Sequence, residues 1–347
     1  MERQGLQHQR GEIEFRRKLY AQQVENSKVF EDEFDGATIE RILLERMGKT
    51  LVQMSGVKAR GIATSPYVEI GAERCQRSLV MENELGLTGA AVDISYEMLR
   101  SAAHYGRVFN KSRMPLRICC DVNNLPFASG SIPFVFCYET LHHFPDPAPV
   151  TREIERTLAP GGSFFFEEEP YKRLLHVGLY RTGHMYAQEQ LARSMPRRIL
   201  DRFFAIRSCN ETEHGVIENE DIALDDWRRA LECFGERDVR VRTIPGIEGG
   251  LFEPGLKPGR ALATLLGGNV SGTCRKLGDV ATTRLAISET LICPSCRQAG
   301  TEARLDLQPG GASCCTCGKR YPSVDEILFL FAYDTFEQLY PDVFRSL

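Results

Sequence analysis

The chain has 347 residues, with 43 lysines and arginines against 47 aspartates and glutamates, and a formal net charge of -4. This length accommodates one large domain and a smaller one, and the near-neutral charge excludes bulk attraction to nucleic acid or anionic lipid. The amino terminus is charged rather than apolar, and no segment reaches the roughly 18 apolar residues of a membrane span. We therefore expect a cytoplasmic protein without a membrane span.

The predicted elements begin with helices and continue as an alternation of strands and helices. Apolar residues at helical spacing between residues 10 and 48 predict an N-terminal helical region, 1–50. From Tyr67 the segments YVEI, GAAVDI, LRICCD, IPFVFCY and SFFFEE read as strands, with helices from about Arg74, from Ser95 and over 150–158. This alternation predicts an α/β fold, a doubly wound and mostly parallel sheet that binds ligands beyond the carboxyl ends of its strands.

The chain is less regular after the fifth strand. Residues 171–222 show no clear alternation and begin with eight basic and five aromatic side chains against two acidic ones. Such a stretch indicates an RNA site, a site for a phosphorylated or carboxylated small substrate, or a solvated helix face. A helix around Trp227 and the strand DVRVRTIP follow. The segment ATTRLAIS is a candidate antiparallel edge strand that closes the domain near residue 290.

The turn after the first strand lacks the glycines of a dinucleotide-binding loop. Such a loop has one glycine where the pyrophosphate approaches and another where helix and strand pack closely. In YVEIGAERC only Gly71 is present, and Glu73 and Cys75 take the next two places. The Glu73 carboxylate would repel a pyrophosphate but attract a cation. The turn therefore favours S-adenosylmethionine (SAM), with its sulfonium and ammonium groups, over NAD or FAD.

Acidic residues end the second and third strands. Asp93 is placed to accept hydrogen bonds from both hydroxyls of a ribose, and Asp121 is placed to accept one from the adenine amino group. Each residue also suits the simpler role of a helix cap or a turn. The segment Leu125 to Phe127 would form a wall against the adenine ring.

The fourth strand ends in CYETLHHFPDP, which carries the titratable candidates for catalysis. Methyl transfer is an in-line displacement that depends mainly on alignment, so a base is optional. We expect Tyr138 and Glu139 to be the wall and the polar contact at the methionine end. His143 is the expected base if the acceptor needs one, and at least one of His142 and His143 is expected to be structural.

The ordered motifs between residues 67 and 167 resemble the type 11 branch of the class I SAM-dependent methyltransferases. The resemblance rests on acidic strand ends followed by D…LPF, LHH and REIERTLAPGG in that order. It implies a Rossmann-like methyltransferase domain, here 51–290, in which 171–222 is a substrate-recognition insertion. It also implies that Glu69, Gly71, Asp93, Asp121 and the residues after the fourth strand line the cofactor. The further residues expected to contact it are Ala72, Glu73, Ile94, Met98, Val122 and Tyr138.

Four of the twelve cysteines form two CxxC pairs near the end of the sequence. CPSC and CCTC give the spacing C-x2-C-x17-C-x2-C through Cys293, Cys296, Cys314 and Cys317. Two such pairs place four thiolates around one zinc ion and close every coordination position, so the predicted site is structural.

The segment 291–332, with GKRYPSVDEILFLF after the second pair, resembles the zinc-ribbon activator family, small proteins that bind and stabilise methyltransferases acting on tRNA, rRNA or release factor. The resemblance implies a zinc ribbon, here 291–347. Its apolar ILFLF is expected to pack against the first domain. Direct substrate binding by the ribbon is the alternative.

The sequence thus predicts a SAM-dependent methyltransferase with a structural zinc ribbon, and three readings of its function stay open. A small-molecule or saccharide-type acceptor is favoured by the acidic charge balance. An RNA base is the second acceptor, because of the ribbon and the basic stretch. A non-catalytic scaffold or activator with a degenerate cofactor pocket is the third reading, motivated by Glu73 and Cys75.

Overall fold

The fold is built on one large mixed sheet. A computed structural model describes residues 2–25, 36–172, 179–182, 193–207, 216, 222–244, 247–253, 265–279 and 285–347. Its α-helices are α1 (Glu2–Gln23), α2 (Gly36–Ala59), α3 (Gln76–Asn83), α4 (Tyr96–Val108), α5 (Ala148–Thr157), α6 (Met195–Phe204), α7 (Leu224–Leu231), α8 (Pro294–Gln298), α9 (Tyr333–Leu339) and α10 (Pro341–Phe344).

The strands follow the predicted alternation through the fifth one. They are β1 (Tyr67–Ile70), β2 (Gly89–Asp93), β3 (Leu116–Cys120), β4 (Ile132–Tyr138), β5 (Leu158–Tyr171), β6 (Tyr180–Thr182), β7 (Ala205–Arg207), β8 (Glu236–Ile244), β9 (Ile247–Gly250), β10 (Gly268–Arg275), β11 (Leu305–Gln308), β12 (Gly311–Cys314), β13 (Arg320–Val324) and β14 (Ile327–Leu330). The predicted helix from Ser95 is confirmed, because the Ser95 hydroxyl caps α4 by accepting from the Met98 amide at 3.3 Å.

Strand order places the site at the centre of the sheet. The order is β11-β12-β13-β14-β3-β2-β1-β4-β5-β10-β8-β9, and the run from β14 to β5 is parallel. The predicted mostly parallel α/β sheet is therefore confirmed for the central strands. Because parallel strands end at the same edge, the loops after β1, β2 and β4 are neighbours.

Strand β4 shows that both faces of the sheet are covered. Its residues Val135 and Cys137 belong to one buried cluster, together with Trp227 of α7. Phe134 and Phe136 belong to a second cluster that includes residues of α2. A strand buried on both faces reads as a continuous apolar run, which explains the sequence IPFVFCY.

The closing antiparallel strand differs from the prediction. It is β10, which lies between β5 and β8, whereas residues 285–290 contain only the short 3-10 helix Ile287–Thr290. Residues 281–284 lie outside the described part. The sequence GNVSGTCR looks unlike a strand because its glycines serve close packing: a Cβ at Gly268 would lie 1.9 Å from the carbonyl oxygen of Arg242.

The C-terminal module, residues 291–347, extends the main sheet. Strand β14 pairs in parallel with β3, from Ile327 opposite Arg117 to Leu330 opposite Cys120. The expected packing of ILFLF against the first domain is confirmed, and it includes backbone pairing as well as apolar contact. Arg117, which is almost completely buried, also donates to the carbonyl oxygen of Asp325 at 2.9 Å.

Much of the basic stretch at 171–222 lies outside the described residues. The described pieces β6 and β7 form a separate two-stranded parallel sheet. Arg193 and Arg197 both pair with Asp201, at 2.5 and 3.0 Å, so one carboxylate is shared by two cations. Within the described part of the chain, no helix is both long and apolar enough to cross a membrane.

Candidate active site at the carboxyl ends of the parallel strands

The loops after β1, β2 and β4 meet in one place. The Glu73 amide, after β1, donates to Asp93 Oδ2 at the end of β2 over 2.8 Å. Thr140, after β4, donates from Oγ1 to the carbonyl oxygen of Ile70 over 3.4 Å. The structure thus brings together the predicted turn, the predicted ribose-binding carboxylate and the loop that carries the predicted catalytic residues.

The turn after β1 keeps a glycine-like backbone although two of its glycines are missing. Gly71, Glu73 and Cys75 have φ values of 64°, 49° and 57°, all in the left-handed region. A Cβ at Gly71 would lie 2.5 Å from Thr140 Oγ1, so this position requires glycine. At the other two positions, Glu73 and Cys75, the backbone adopts a conformation that non-glycine residues rarely take.

The Asp93 carboxylate accepts hydrogen bonds from two nearby backbone amides. Its Oδ2 accepts from the Glu73 amide and its Oδ1 accepts from the Ser95 amide, each at 2.8 Å. Burial raises the pKa of the Asp93 carboxyl to about 6, so it is mostly ionised at neutral pH. Each carboxylate oxygen has more than one lone pair, and the pair can therefore still accept from a ribose diol.

The Glu73 carboxylate is not available to a cationic ligand in the way the sequence suggested. It pairs with Arg74, with Arg46 at 3.2 Å and with Arg16 at 3.6 Å. Burial opposes ionisation, but these guanidinium groups, Arg74 foremost, hold the pKa of Glu73 well below its usual range. Helices α1 and α2 thus supply two of the three guanidinium groups around Glu73, so its carboxylate does not face a ligand as an isolated negative charge.

Several predicted cofactor residues lie in or beside the core. Glu69 is fully buried, and its Oε2 accepts from the Ser78 amide at 3.0 Å and from the Ser78 hydroxyl at 2.5 Å, which ties β1 to α3. Burial raises the pKa of the Glu69 carboxyl to about 7. The side chains of Ala72, Met98 and Val122 are also buried, and that of Ile94 is half-buried.

Asp121 fills the simpler of its two predicted roles. Its Oδ1 accepts from the amide and from the side-chain Nδ2 of Asn123, both at 2.9 Å, and so caps the 3-10 helix Val122–Asn124. The carboxylate remains partly exposed at the end of β3. A cap of this kind leaves acceptor capacity on the second oxygen.

Tyr138 and Glu139, the two residues predicted for the methionine end, lie in different environments. Tyr138 is buried, donates to Gln53 Oε1 of α2 at 2.8 Å, and lies 4.1 Å beneath the guanidinium of Arg77. Glu139 is about half exposed, has a left-handed φ of 48°, and faces Arg46 at 3.6 Å. Tyr138 therefore packs against helix α2, whereas Glu139 lies at the surface beside Arg46.

A buried carboxylate that the sequence analysis missed orients one of the two histidines. Glu169, on β5, is completely buried and accepts from the amides of Thr140, Leu141 and His142 at 2.8 to 3.1 Å. It also bonds His142 Nδ1 at 3.0 Å. Burial opposes its ionisation, but the bonds from His142 and the amides hold the pKa of Glu169 below its usual value.

His143 has a different environment. Its amide donates to the carbonyl oxygen of Thr140 at 3.2 Å, and its ring packs against that of His142 with the centroids 4.3 Å apart.

The run EEEP was the available signal for Glu169, but three consecutive glutamates do not reveal which one points inward.

The site contains polar atoms that suit a polar cofactor. Gln76 directly follows the turn and is completely buried, and both polar atoms of its amide lack a hydrogen-bond partner among the described residues. A buried amide without partners costs free energy unless a ligand or water satisfies it. The Asp93 carboxylate at the end of β2 is the group that fits the ribose of a nucleoside-type cofactor such as SAM.

The four predicted metal ligands converge in the C-terminal module. The sulfur atoms of Cys293, Cys296, Cys314 and Cys317 all lie within 4.8 Å of one another. The pairs Cys293–Cys317 and Cys296–Cys314 are each separated by 3.7 Å. Tetrahedral zinc with Zn–S distances of about 2.3 Å requires sulfur atoms about 3.8 Å apart, so the donor set fits this ion.

The sheet order and the acidic end of β2 define a Rossmann-like cofactor-binding domain. Residues 68–166 match the model of a protein family described as "Methyltransferase domain". These residues are therefore similar to a methyltransferase domain, in agreement with the motifs.

Curated relatives match parts of the chain. Malonyl-[acyl-carrier protein] O-methyltransferase of Alcanivorax borkumensis is 34% identical over 122 residues, 35% of this chain and 37% of the relative. Ubiquinone biosynthesis O-methyltransferase of Xanthomonas oryzae pv. oryzae is 28% identical over 154 residues, 42% of this chain and 59% of the relative. The chain thus spans well under two thirds of either relative.

A solved structure of a SAM-dependent methyltransferase from Methanosarcina mazei is also similar. It is 17% identical, and the alignment covers 64% of this chain and 97% of that one, with a TM-score of 0.39.

Proposed function

We propose that the protein transfers a methyl group from SAM to a hydroxyl group of a small-molecule acceptor, and that its four clustered cysteines hold a structural zinc ion. The observation that carries the proposal is the junction of the turn after β1 with Asp93. The turn keeps its left-handed backbone at Glu73 and Cys75, and the Glu73 amide bonds the Asp93 carboxylate. A degenerate pocket would have no reason to retain this backbone, which speaks against the scaffold reading.

Different residues of the site would bind the cofactor and align it with the acceptor. Asp93 would hold the ribose, the backbone at Gly71 and Ala72 would face the methionine end, and Asp121 with Val122 would lie beside the adenine. Bound SAM supplies a methyl group activated by its sulfonium. The loops after β1 and β4 would align that group with the acceptor and keep water away, which accounts for much of the rate enhancement in such displacements.

The Glu169–His142 pair supports an acceptor that must lose a proton. A carboxylate that bonds one imidazole nitrogen fixes the ring and its tautomer, which is how general bases are commonly oriented. A hydroxyl acceptor benefits from such a base, whereas a carboxylate acceptor is already ionised. Saccharides fall within the hydroxyl class. We therefore place His142 beside His143 as a candidate for the base.

RNA is the second candidate acceptor. Arg193 and Arg197, from the basic stretch, share the single carboxylate of Asp201, which leaves one net positive charge at this group. Binding to several phosphates confers a strong salt dependence, whereas binding of a neutral small molecule does not.

The test is calorimetric titration of the purified protein with SAM, S-adenosylhomocysteine and NAD. Binding of the first two, followed by methyl transfer to hydroxylated small molecules but not to transfer or ribosomal RNA, is the expected result. Failure to bind SAM would support the scaffold reading, and methylation of RNA would overturn the proposed acceptor class.

A further inference from the structure

Helix α2 carries two cations that reach the loops of the active site. Arg46 Nη1 lies 3.2 Å from Glu73 Oε2, and Arg46 Nη2 lies 3.6 Å from Glu139 Oε2. One turn further along the same face, Lys49 pairs with Glu168. The helix thus contacts the loop after β1, the loop after β4 and strand β5. We call Arg46, Lys49, Glu73, Glu139 and Glu168 the α2 clamp.

The three glutamates of the α2 clamp share an uncommon backbone conformation. Their φ values are 49° at Glu73, 48° at Glu139 and 66° at Glu168, all left-handed. Glycine, asparagine and aspartate are the residues usually found there, because other side chains are strained. At each of these three positions the chain has a glutamate, and each carboxylate meets a cation of α2.

We propose that Arg46 is a positioning residue that fixes the spacing between the loop after β1 and the loop after β4. This inference rests on the proposed function, in which the first loop holds the cofactor and the second loop faces the acceptor. In-line transfer is sensitive to the alignment of these two partners. Arg46 acts on that alignment through Glu73 and Glu139, without touching either substrate.

The chemistry of the guanidinium suits this role better than a role in global stability. The side chains of Arg46 and Glu139 are 29% and 47% exposed, and partly exposed ion pairs contribute little to folding. A planar guanidinium can engage two carboxylates at once in fixed directions. The ammonium of a lysine is a compact charge whose donors have no fixed fork geometry, so it orients two carboxylates less precisely.

The test compares Arg46→Ala, Arg46→Lys and Lys58→Ala in the full-length protein. Lys58 is an exposed cation in the last turn of the same helix, and no ion pair within the described part of the chain includes it. Hydrogen exchange of residues 71–75 and 139–143 is measured first, because it needs neither cofactor nor acceptor. Affinities for SAM and S-adenosylhomocysteine are then measured by calorimetry.

Arg46→Ala is expected to accelerate exchange in both loops and to weaken SAM binding roughly three- to tenfold, with an unfolding temperature within a few degrees of the wild type. Arg46→Lys should recover only part of this loss, and Lys58→Ala should behave as the wild type. The proposal is overturned if Arg46→Ala leaves exchange in either loop unchanged, or if it binds SAM as tightly as Lys58→Ala or more tightly. Faster exchange in a protein whose wild type binds no SAM would overturn the proposed function and leave the α2 clamp in place.

Discussion

The hydroxyl of Tyr340 donates a hydrogen bond of 2.6 Å to the carbonyl oxygen of Ile94, the residue that follows Asp93. The same hydroxyl accepts from the Tyr96 amide at 3.0 Å. Tyr340 belongs to the C-terminal module and is buried. The module therefore holds the loop that follows Asp93, the carboxylate proposed to bind the ribose, in addition to extending the sheet.

Replacing Tyr340 by phenylalanine should loosen this loop. The change leaves the part-buried Tyr96 amide without its acceptor, which costs about 1 kcal/mol. We expect SAM to bind roughly three- to tenfold more weakly, with the metal content unchanged. Calorimetry and metal analysis measure the two effects.

Tyr333→Phe is the matched control for Tyr340→Phe. Its hydroxyl bonds the backbone of Arg320 inside the C-terminal module, at 2.6 and 2.8 Å, and does not reach the β2 loop. If Tyr333→Phe and Tyr340→Phe reduce SAM affinity equally, the effect comes from the module as a whole and the specific role of Tyr340 is refuted.

Cysteine substitutions should separate the metal site from its neighbour in the sequence. Cys314→Ser removes one of the four clustered sulfur atoms, whereas Cys315→Ser changes an exposed thiol outside the cluster. We expect one zinc ion per chain in the wild type and in Cys315→Ser. Cys314→Ser should lose most of the zinc and unfold at a temperature lower by roughly 10 °C, because metal binding stabilises small modules of this type. Equal zinc content in the two variants would contradict the assignment of Cys314.

The two histidines should differ in their contribution to turnover. His142→Ala should reduce the rate of transfer to a hydroxyl acceptor by about 100-fold or more, and His143→Ala should reduce it less. Glu169→Gln should lower the rate through His142 while SAM affinity changes little. Formation of S-adenosylhomocysteine measures the rate. A larger loss in His143→Ala would identify His143, the base predicted from the sequence, and would contradict the role of His142.

Protonation of Asp93 at low pH should weaken cofactor binding. The same protonation should not destabilise the fold. The pKa of Asp93 is about 6, above the usual value near 3.9, so the folded protein retains this proton more tightly than the unfolded chain does. Below pH 6 the carboxyl is protonated and accepts fewer hydrogen bonds from a ribose. The contribution of Asp93 to folding, in contrast, becomes more favourable as the pH falls.

Calorimetry and thermal unfolding between pH 5 and pH 8 test the Asp93 prediction. SAM affinity should fall below pH 6 in the wild type and should be weak and less dependent on pH in Asp93→Asn. An affinity that is constant down to pH 5 would argue against a role for an ionised Asp93 in binding.

The central strands and the acidic strand ends could be predicted because each depends on local sequence. Strands buried on both faces require apolar runs, and Asp93 follows such a run directly. Strand β10 could not be predicted, because its glycines are needed for close approach to β8, which is a tertiary requirement. The clustering of the four cysteines could be predicted from spacing alone, since two CxxC pairs specify their own geometry.

The partners of the site carboxylates could not be read from the sequence. Arg16 and Arg46 are two of many charged residues on amphipathic helices, and nothing in their local pattern shows that both reach Glu73. The inward direction of Glu169 depends on a β5 longer than predicted. Long-range ion pairs and buried carboxylates are set by packing, which local periodicity does not encode.

Because β14 and β3 belong to one chain, their pairing does not depend on the protein concentration. A separate small protein that added a strand to β3 would dissociate on dilution, and its occupancy would follow its supply in the cell. Here the strand is tethered to the sheet it completes, so its local concentration is set by the linking chain. The pairing is therefore insensitive to dilution, and a second protein seeking that edge must first displace the chain's own strand.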